Sequence, residues 1–265
     1  MSPSPIGVFD SGIGGLSILR ALRAALPGED FVYYADTGHA PYGERGDKFV
    51  AERSLAVTRE LMARHGIKLL VVACNTATAA AIARLRQTWP ELPIVGVEPA
   101  LKPAAKATRS GHVGVLATRG TLASAKFAQL HDSIGGQVRF HLQPCDGLAA
   151  AIEADDAALV ETLCQRYLTQ LGLGPGGRRD IDTLVLGCTH YAFATEVIAR
   201  IVGLDVRILE TGEPVARQTA RLLAERGIVN QPGRSGHCLL LGSGVPQALQ
   251  AAATRWLPGF VNQAR

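Results

Sequence analysis

Aromatic side chains make up only 5% of this chain, and it has just two tryptophans and two methionines. So thin a supply argues against an all-β sandwich, since strands favour aromatic and β-branched residues. It fits an α/β protein packed with Ala, Val and Leu. Long apolar runs are missing too. The longest unbroken one, at 69–74, has six residues, far short of the roughly 20 that cross a bilayer. No five Lys or Arg stand together and the net charge is only +4. Nothing therefore marks the chain for nucleic acid or a membrane surface, and a small anionic ligand suits the balance equally well. No basic residue precedes Arg20, so the opening residues lack the charged start of a secretory signal. The five cysteines are an odd number with no CxxC pair among them. Reduced thiols in the cytoplasm are the expectation.

What is present is ordinary globular material: 265 residues, 47% apolar and 19% charged, with 29 glycines. That length allows one large domain or two small ones. Strand-like apolar runs alternate with amphipathic stretches throughout. Strands are expected at 6–10, 31–36, 68–74 and 94–97, with helices at 16–25, 48–65 and 77–88 between them. The rhythm restarts with strands at 112–117, 138–142, 183–186, 206–209 and 238–241. Helices are expected from near Thr121, at 147–151, 157–171 and 214–226, after Cys188, and at the end, with a Gly/Pro surface connection at 172–177. This βα alternation predicts doubly wound parallel sheets.

Two stretches read as copies of each other. Ile6-Gly7-Val8-Phe9-Asp10-Ser11 aligns with Val113-Gly114-Val115-Leu116-Ala117-Thr118, and Val71-Val72-Ala73-Cys74-Asn75-Thr76 with Val185-Leu186-Gly187-Cys188-Thr189-His190. The fold class expected is α/β, with two similar doubly wound parallel-sheet domains and the active site in the cleft between them. Residues 1–98 with 210–265 form the first expected domain and 99–209 the second.

In open parallel sheets, ligands bind outside the carboxyl ends of the strands. Cys74 and Cys188 stand there, each just before an expected helix, whose N-terminal partial charge favours a thiolate. Asn75, Thr76 and Thr189 add N–H groups and short polar side chains, a cradle for a carboxylate. Cys145, Cys164 and Cys238 read as inert packing residues. The turn Ser11-Gly12-Ile13-Gly14-Gly15 is half a dinucleotide fingerprint, with Ser17 where a third glycine belongs and Asp36 where a ribose-binding acid would stand. Its milder reading is a tight strand-to-helix turn that lets Asp10 and Ser11 face a ligand. Cys188 and His190 are also compatible with a thiol hydrolase, and with a zinc site that lacks a second close pair of ligands.

Several strings resemble the glutamate racemases of the aspartate/glutamate racemase family. They are Val8-Phe9-Asp10-Ser11-Gly12-Ile13-Gly14-Gly15-Leu16, Asp36-Thr37 with Ala40-Pro41-Tyr42-Gly43, Ala73-Cys74-Asn75-Thr76-Ala77, Gly96-Val97-Glu98-Pro99-Ala100, Leu186-Gly187-Cys188-Thr189-His190-Tyr191 and Thr211-Gly212-Glu213-Pro214. They keep the family's order over nearly the whole chain. Ala192-Phe193 departs from the proline and leucine of many members. The resemblance implies cofactor-independent interconversion of L- and D-glutamate, the D-form destined for peptidoglycan. It implies that Cys74 takes the proton of D-glutamate and Cys188 that of L-glutamate. Asp10, His190 and Glu153 would assist, and Ser11, Pro41, Tyr42, Gly43, Asn75, Thr76, Thr118, Thr121 and Thr189 would hold the substrate alongside Asp10 and His190. No metal is implied, glutamate is the partner, and a homodimer is one candidate assembly. Racemisation of aspartate, a Cys188/His190 hydrolase and a non-enzymatic sensor remain the competing readings.

Overall fold

The computed structural model describes residues 4–136, 138–174, 180–231, 233–257 and 259. In chain order it begins with β1 (Ile6–Asp10), α1 (Leu16–Ala25), β2 (Phe31–Ala35), α2 (Asp47–His65), β3 (Leu69–Val72), α3 (Asn75–Thr88) and β4 (Ile94–Gly96). Next come α4 (Leu101–Ala107), β5 (His112–Ala117), α5 (Arg119–Ala123), α6 (Ala125–Asp132), β6 (Arg139–Pro144), α7 (Leu148–Glu153) and α8 (Ala157–Gln170). The series continues with β7 (Thr183–Leu186), α9 (Thr195–Val202) and β8 (Arg207–Leu209), then α10 (Gly212–Glu225), β9 (Cys238–Gly242) and α11 (Pro246–Trp256). The chain divides into two compact units, one of Met1–Val97 with Gly212–Arg265 and one of Glu98–Thr211.

The first unit holds a five-stranded sheet in the order β4-β3-β1-β2-β9, and the second a four-stranded sheet in the order β6-β5-β7-β8. Every pairing in both sheets is parallel. Read from β8, the second order repeats that of β4 to β2 in the first, so the copied sequence stretches share one topology, and β9 is an addition at one edge. In each sheet the chain winds outward from the first strand, then crosses back to its other side. The switch points lie between β1 and β3 and between β5 and β7, where crevices open beyond the carboxyl ends. Residues 10–11 and 74–76 border the first switch point, and residues 118 and 188–190 the second.

The inner strands are buried on both faces and so read as unbroken apolar runs rather than alternating ones. β1, β2, β3 and β7 have no exposed residue. One face of the first sheet packs Phe9, Val32, Leu70 and Val72 against Val50, Leu61 and Leu85 of α2 and α3. The second sheet packs Leu184 and Leu186 against Leu163 and Leu168 of α8 on one face, and Val113 and Val115 against Leu101 and Phe127 on the other.

Two glycines set the distances near the strand ends. A Cβ on Gly15 would stand 2.7 Å from the Asp10 Cβ and 2.9 Å from the Tyr33 hydroxyl. A Cβ on Gly187 would stand 2.9 Å from the Ala117 Cβ and 3.0 Å from the Leu116 carbonyl oxygen. Any side chain at either place would force the backbone away from its neighbour.

Several local expectations are corrected. The run at 68–74 pairs as a strand only over Leu69–Val72, because Ala73 and Cys74 turn toward α3. The helix expected near Thr121 is split into α5 and α6 by Ser124, whose hydroxyl donates to the Thr121 carbonyl and accepts the Phe127 N–H. α4 lies where no helix was expected. The loop at 37–46 contains two short 3₁₀ turns, Thr37–His39 and Tyr42–Glu44. Of the connection expected at 172–177, residues 175–177 lie outside the described residues.

Candidate active site

In the first unit, Asp10 ends β1 and is fully buried. Its Oδ1 accepts the Ser11 N–H at 2.5 Å and the Ser11 hydroxyl at 3.1 Å. The Cys74 thiol reaches the Ser11 hydroxyl oxygen at 3.7 Å. Cys74 is also the N-cap of α3, its Sγ accepting the Ala77 N–H at 3.5 Å. A capping sulfur at a helix N-terminus sits where negative charge is stabilised. Thr76 and Asn75 follow at once and are buried. Neither polar atom of the Asn75 side chain has a hydrogen-bond partner. A buried amide left open by the protein costs free energy unless a ligand or an ordered water satisfies it, so Asn75 offers a donor and an acceptor at the start of α3.

Tyr42 and Gly43 lie on the second 3₁₀ turn, with Pro41 just before it. Tyr42 is buried and donates to Asp36 Oδ2 at 2.5 Å. Burial and that carboxylate push its phenol pKa well above the ordinary value. Asp36 is fully buried and anchors the stretch. It accepts Arg53 Nε at 3.0 Å, Arg53 Nη2 at 2.8 Å and the Ser243 hydroxyl at 2.7 Å, and lies 3.0 Å from His39 Nδ1. Burial alone would raise its pKa, but hydrogen bonds from Arg53, Tyr42 and Ser243 outweigh it and hold the carboxyl below its usual range. With its oxygens so engaged, Asp36 is a structural anchor and not the ribose-binding acid considered from sequence.

In the second unit, Cys188 follows Gly187 just beyond the end of β7. The helix expected after it is a 3₁₀ stretch, Thr189–Ala194, with α9 beginning only at Thr195. Cys188 therefore lacks the α-helical N-terminus expected for it, and its side chain makes no cap bond. Its polar partner is His190, whose Nδ1 lies 3.8 Å from Sγ. The His190 Nε2 lies 2.6 Å from Glu153 Oε1 at the end of α7. Burial would lower the imidazole pKa, yet the hydrogen bonds to Cys188 and Glu153 raise it well above its ordinary value. His190 thereby bridges the Glu153 carboxylate and the Cys188 sulfur. Thr189, next to Cys188, and Thr121, on α5, are buried. Thr118 caps α5, accepting the Thr121 N–H at 3.2 Å and donating to its hydroxyl at 2.9 Å.

The residues singled out from sequence thus fall into two groups, one per unit, and each group contains one of the two thiols. Sequence reasoning missed Arg53, Ser243 and Tyr191. The Tyr191 N–H donates to the Cys188 carbonyl, and its buried hydroxyl donates to the Cys145 carbonyl. Among the described residues no group of three or more His, Cys, Asp or Glu could hold a metal, and no helix is long and apolar enough to cross a membrane.

All five cysteines are free and buried. Burial pushes the Cys145 thiol far up, Cys164 to about 11 and Cys238 to about 12. Brief treatment of the folded protein with iodoacetamide should therefore alkylate Cys74 or Cys188 before the other three. Peptide mass spectrometry reads the order, and first labelling at Cys145, Cys164 or Cys238 would contradict the upward push that burial gives those three thiols.

Comparison with known proteins adds an independent line. Residues 6–219 match the family model described as Asp/Glu/Hydantoin racemase. The chain is 52% identical over 237 residues to the glutamate racemase of Ectopseudomonas mendocina (strain ymp), covering 88% of each. Among solved structures it is similar to glutamate racemase isoform RacE1 from Bacillus anthracis, with a TM-score of 0.86 at 32% identity, covering 98% of this chain and 96% of that one. It is also similar to the Escherichia coli glutamate racemase solved with L-glutamate and the activator UDP-MurNAc-ala, with a TM-score of 0.84 at 31% identity and 96% of each chain covered.

Proposed function

The chain belongs to the Asp/Glu/Hydantoin racemase family, and from that premise we propose that it interconverts L- and D-glutamate by a two-thiol acid/base mechanism. The observation that carries this reading is the repeated placement of a cysteine beyond the third strand of each sheet, at a switch point, with its own polar partners. Inverting a carbon by moving one proton needs a base on one face and an acid on the other. One such thiol per unit supplies the two groups. Cys74, backed by Ser11, Asp10 and the Ala77 N–H, would take the proton of D-glutamate. Cys188, beside the His190–Glu153 pair, would take that of L-glutamate.

Thiols suit the task because both protonation states are accessible near neutral pH. A positioned acid or base contributes roughly 10²–10⁴ in rate. Further stabilisation of the carbanion-like transition state comes from fixed donors and from exclusion of water. The Asn75 amide, the N–H groups opening α3, and Thr76, Thr118, Thr121 and Thr189 are the groups offered to the substrate's polar ends, with Pro41, Tyr42 and Gly43 alongside. The reading includes a cytoplasmic site of action and D-glutamate supplied to peptidoglycan. The relatives' shared name and the L-glutamate in the E. coli structure favour glutamate over aspartate.

The Cys188–His190–Glu153 line also has the order of a nucleophile, base and orienting acid in a thiol hydrolase. That reading gives Cys74 no role, and it predicts a covalent acyl-enzyme.

A polarimeter separates these outcomes. L-Glutamate incubated with the reduced, folded protein should lose its rotation completely, because the enantiomers are equal in free energy. The decay should be unchanged after dialysis against a chelator and with no pyridoxal phosphate or nicotinamide added. Constant rotation would sink the racemase reading. A loss of activity on dialysis that zinc restores would sink its cofactor independence.

A further inference from the structure

Each thiol has, in its own unit, one tyrosine with no exposed surface whose hydroxyl donates to a backbone carbonyl. In the first unit this is Tyr33, at the centre of β2 and paired with Val8 of β1. Its hydroxyl donates to the Gly12 carbonyl at 2.6 Å. Gly12 follows Ser11, the residue that links the Asp10 carboxylate to the Cys74 sulfur. The turn passes so close to this hydroxyl that Gly15 has no room for a Cβ. In the second unit the tyrosine is Tyr191, on the 3₁₀ stretch that starts beside Cys188. Its N–H holds the Cys188 carbonyl at 3.1 Å, and its hydroxyl reaches the Cys145 carbonyl at 3.2 Å. Cys145 is fixed to the sheet end by its own N–H, which donates to the Ala117 carbonyl at 3.0 Å. Tyr191 thus ties the short turn bearing Cys188 and His190 to the rigid end of β6. Burial, and the neighbouring Cys188 and Cys145, keep the Tyr191 phenol protonated and hence a donor.

We propose that Tyr33 and Tyr191 are positioning residues, one for each thiol, so that each hydroxyl serves one of the two half-reactions. The inference rests on the two-thiol reading above and adds to it a pair of residues that touch no substrate. A tyrosine that merely filled the core would affect both directions of proton transfer alike. A tyrosine that sets one thiol would bias them. The equilibrium constant of a racemisation is one, so forward and reverse kcat/KM stay equal in any variant and cannot show the bias. Exchange can.

The test uses Tyr33→Phe and Tyr191→Phe in the full chain, beside the parent protein, Cys74→Ala and Cys188→Ala. Each tyrosine variant removes one buried hydrogen bond and should slow racemisation about five- to tenfold. In D₂O at low conversion, proton NMR of the recovered starting enantiomer reads return of the intermediate to the face it left. With Tyr191→Phe, delivery by Cys188 is slowed, so recovered D-glutamate should gain deuterium relative to racemisation at least threefold faster than with the parent, by the same loss of about one hydrogen bond. Recovered L-glutamate should not. Tyr33→Phe should give the opposite pattern. Equal shifts for both enantiomers, or none, in either variant would overturn the proposal while leaving the two-thiol reading intact, provided the cysteine variants show their own opposite preferences. If the cysteine variants show no preference, the two-thiol reading falls and takes this proposal with it. Each tyrosine is an arm in its own right: should one variant fail to fold, the other still decides.

Discussion

With Cys188 replaced by alanine, racemisation should fall by at least about 10²–10⁴, the worth of a positioned acid or base, while half of the chemistry survives. Cys74 keeps in this variant the Ser11 hydroxyl, the Asp10 carboxylate behind it and the Ala77 N–H. It can still take the α-proton of D-glutamate and return a solvent-derived one to the same face. In D₂O, D-glutamate should therefore gain deuterium slowly without inversion, and L-glutamate should stay unlabelled. Cys74→Ala should show the opposite preference, since Cys188 retains His190 and Glu153. The direction of the preference is the test, and its size is secondary, because each thiol also shapes and polarises its surroundings. Proton NMR at the α-position of each enantiomer reads it directly. Equal labelling of both enantiomers by either variant would mean a single mobile base in place of two.

The placement of one cysteine just beyond a strand in each unit was legible in sequence, because its signal is local. The apolar run before Cys74 and the one before Cys188 are strands because they are continuous and short, and an abrupt change to small polar residues marks their carboxyl ends. α1 runs over Leu16–Ala25 as its leucine spacing predicts. α4 was hidden by Pro103, which reads as a breaker. In the first turn of a helix, however, proline forfeits only an N–H that has no intrahelical partner. The 3₁₀ stretch after Cys188 has no breaker at all. Its course is set by long-range bonds, Tyr191 to Cys145 and His190 to Glu153, that no local pattern encodes. Glu153 entered through family resemblance alone, since it lies 37 residues before its partner. Asp36 was visible at a strand end, but its role depends on Arg53, 17 residues on, and Ser243, 207 residues on.

Asp36→Asn should accordingly be the most damaging substitution away from the thiols. The carboxylate is fully buried and receives a bidentate guanidinium from Arg53, the Tyr42 phenol and the Ser243 hydroxyl. Removing one partner of a buried pair costs about 3–5 kcal/mol. Arg53 is a quarter exposed and recovers some hydration, so about 3 kcal/mol is the expectation here. At about 2–4 °C per kcal/mol for a chain somewhat shorter than this one, melting should drop by roughly 6–12 °C at neutral pH. The pH dependence carries a sign. The folded pKa of Asp36 lies below its ordinary value of 3.8, so its stabilisation is complete above the unfolded pKa and is lost as pH falls through the folded one. Parent and variant should therefore differ fully at pH 7 and converge as the pH is lowered below 3.8, where a protonated aspartate and an asparagine are close isosteres. Urea midpoints measured at neutral and acid pH would show the convergence. A variant as stable as the parent at pH 7 would mean that the carboxylate does not hold the Tyr42 turn in place. Glutamate turnover gives a second readout of the same anchor. If Tyr42 and Gly43 hold the substrate, freeing their turn should raise KM for glutamate while leaving the alkylation order of the five cysteines unchanged.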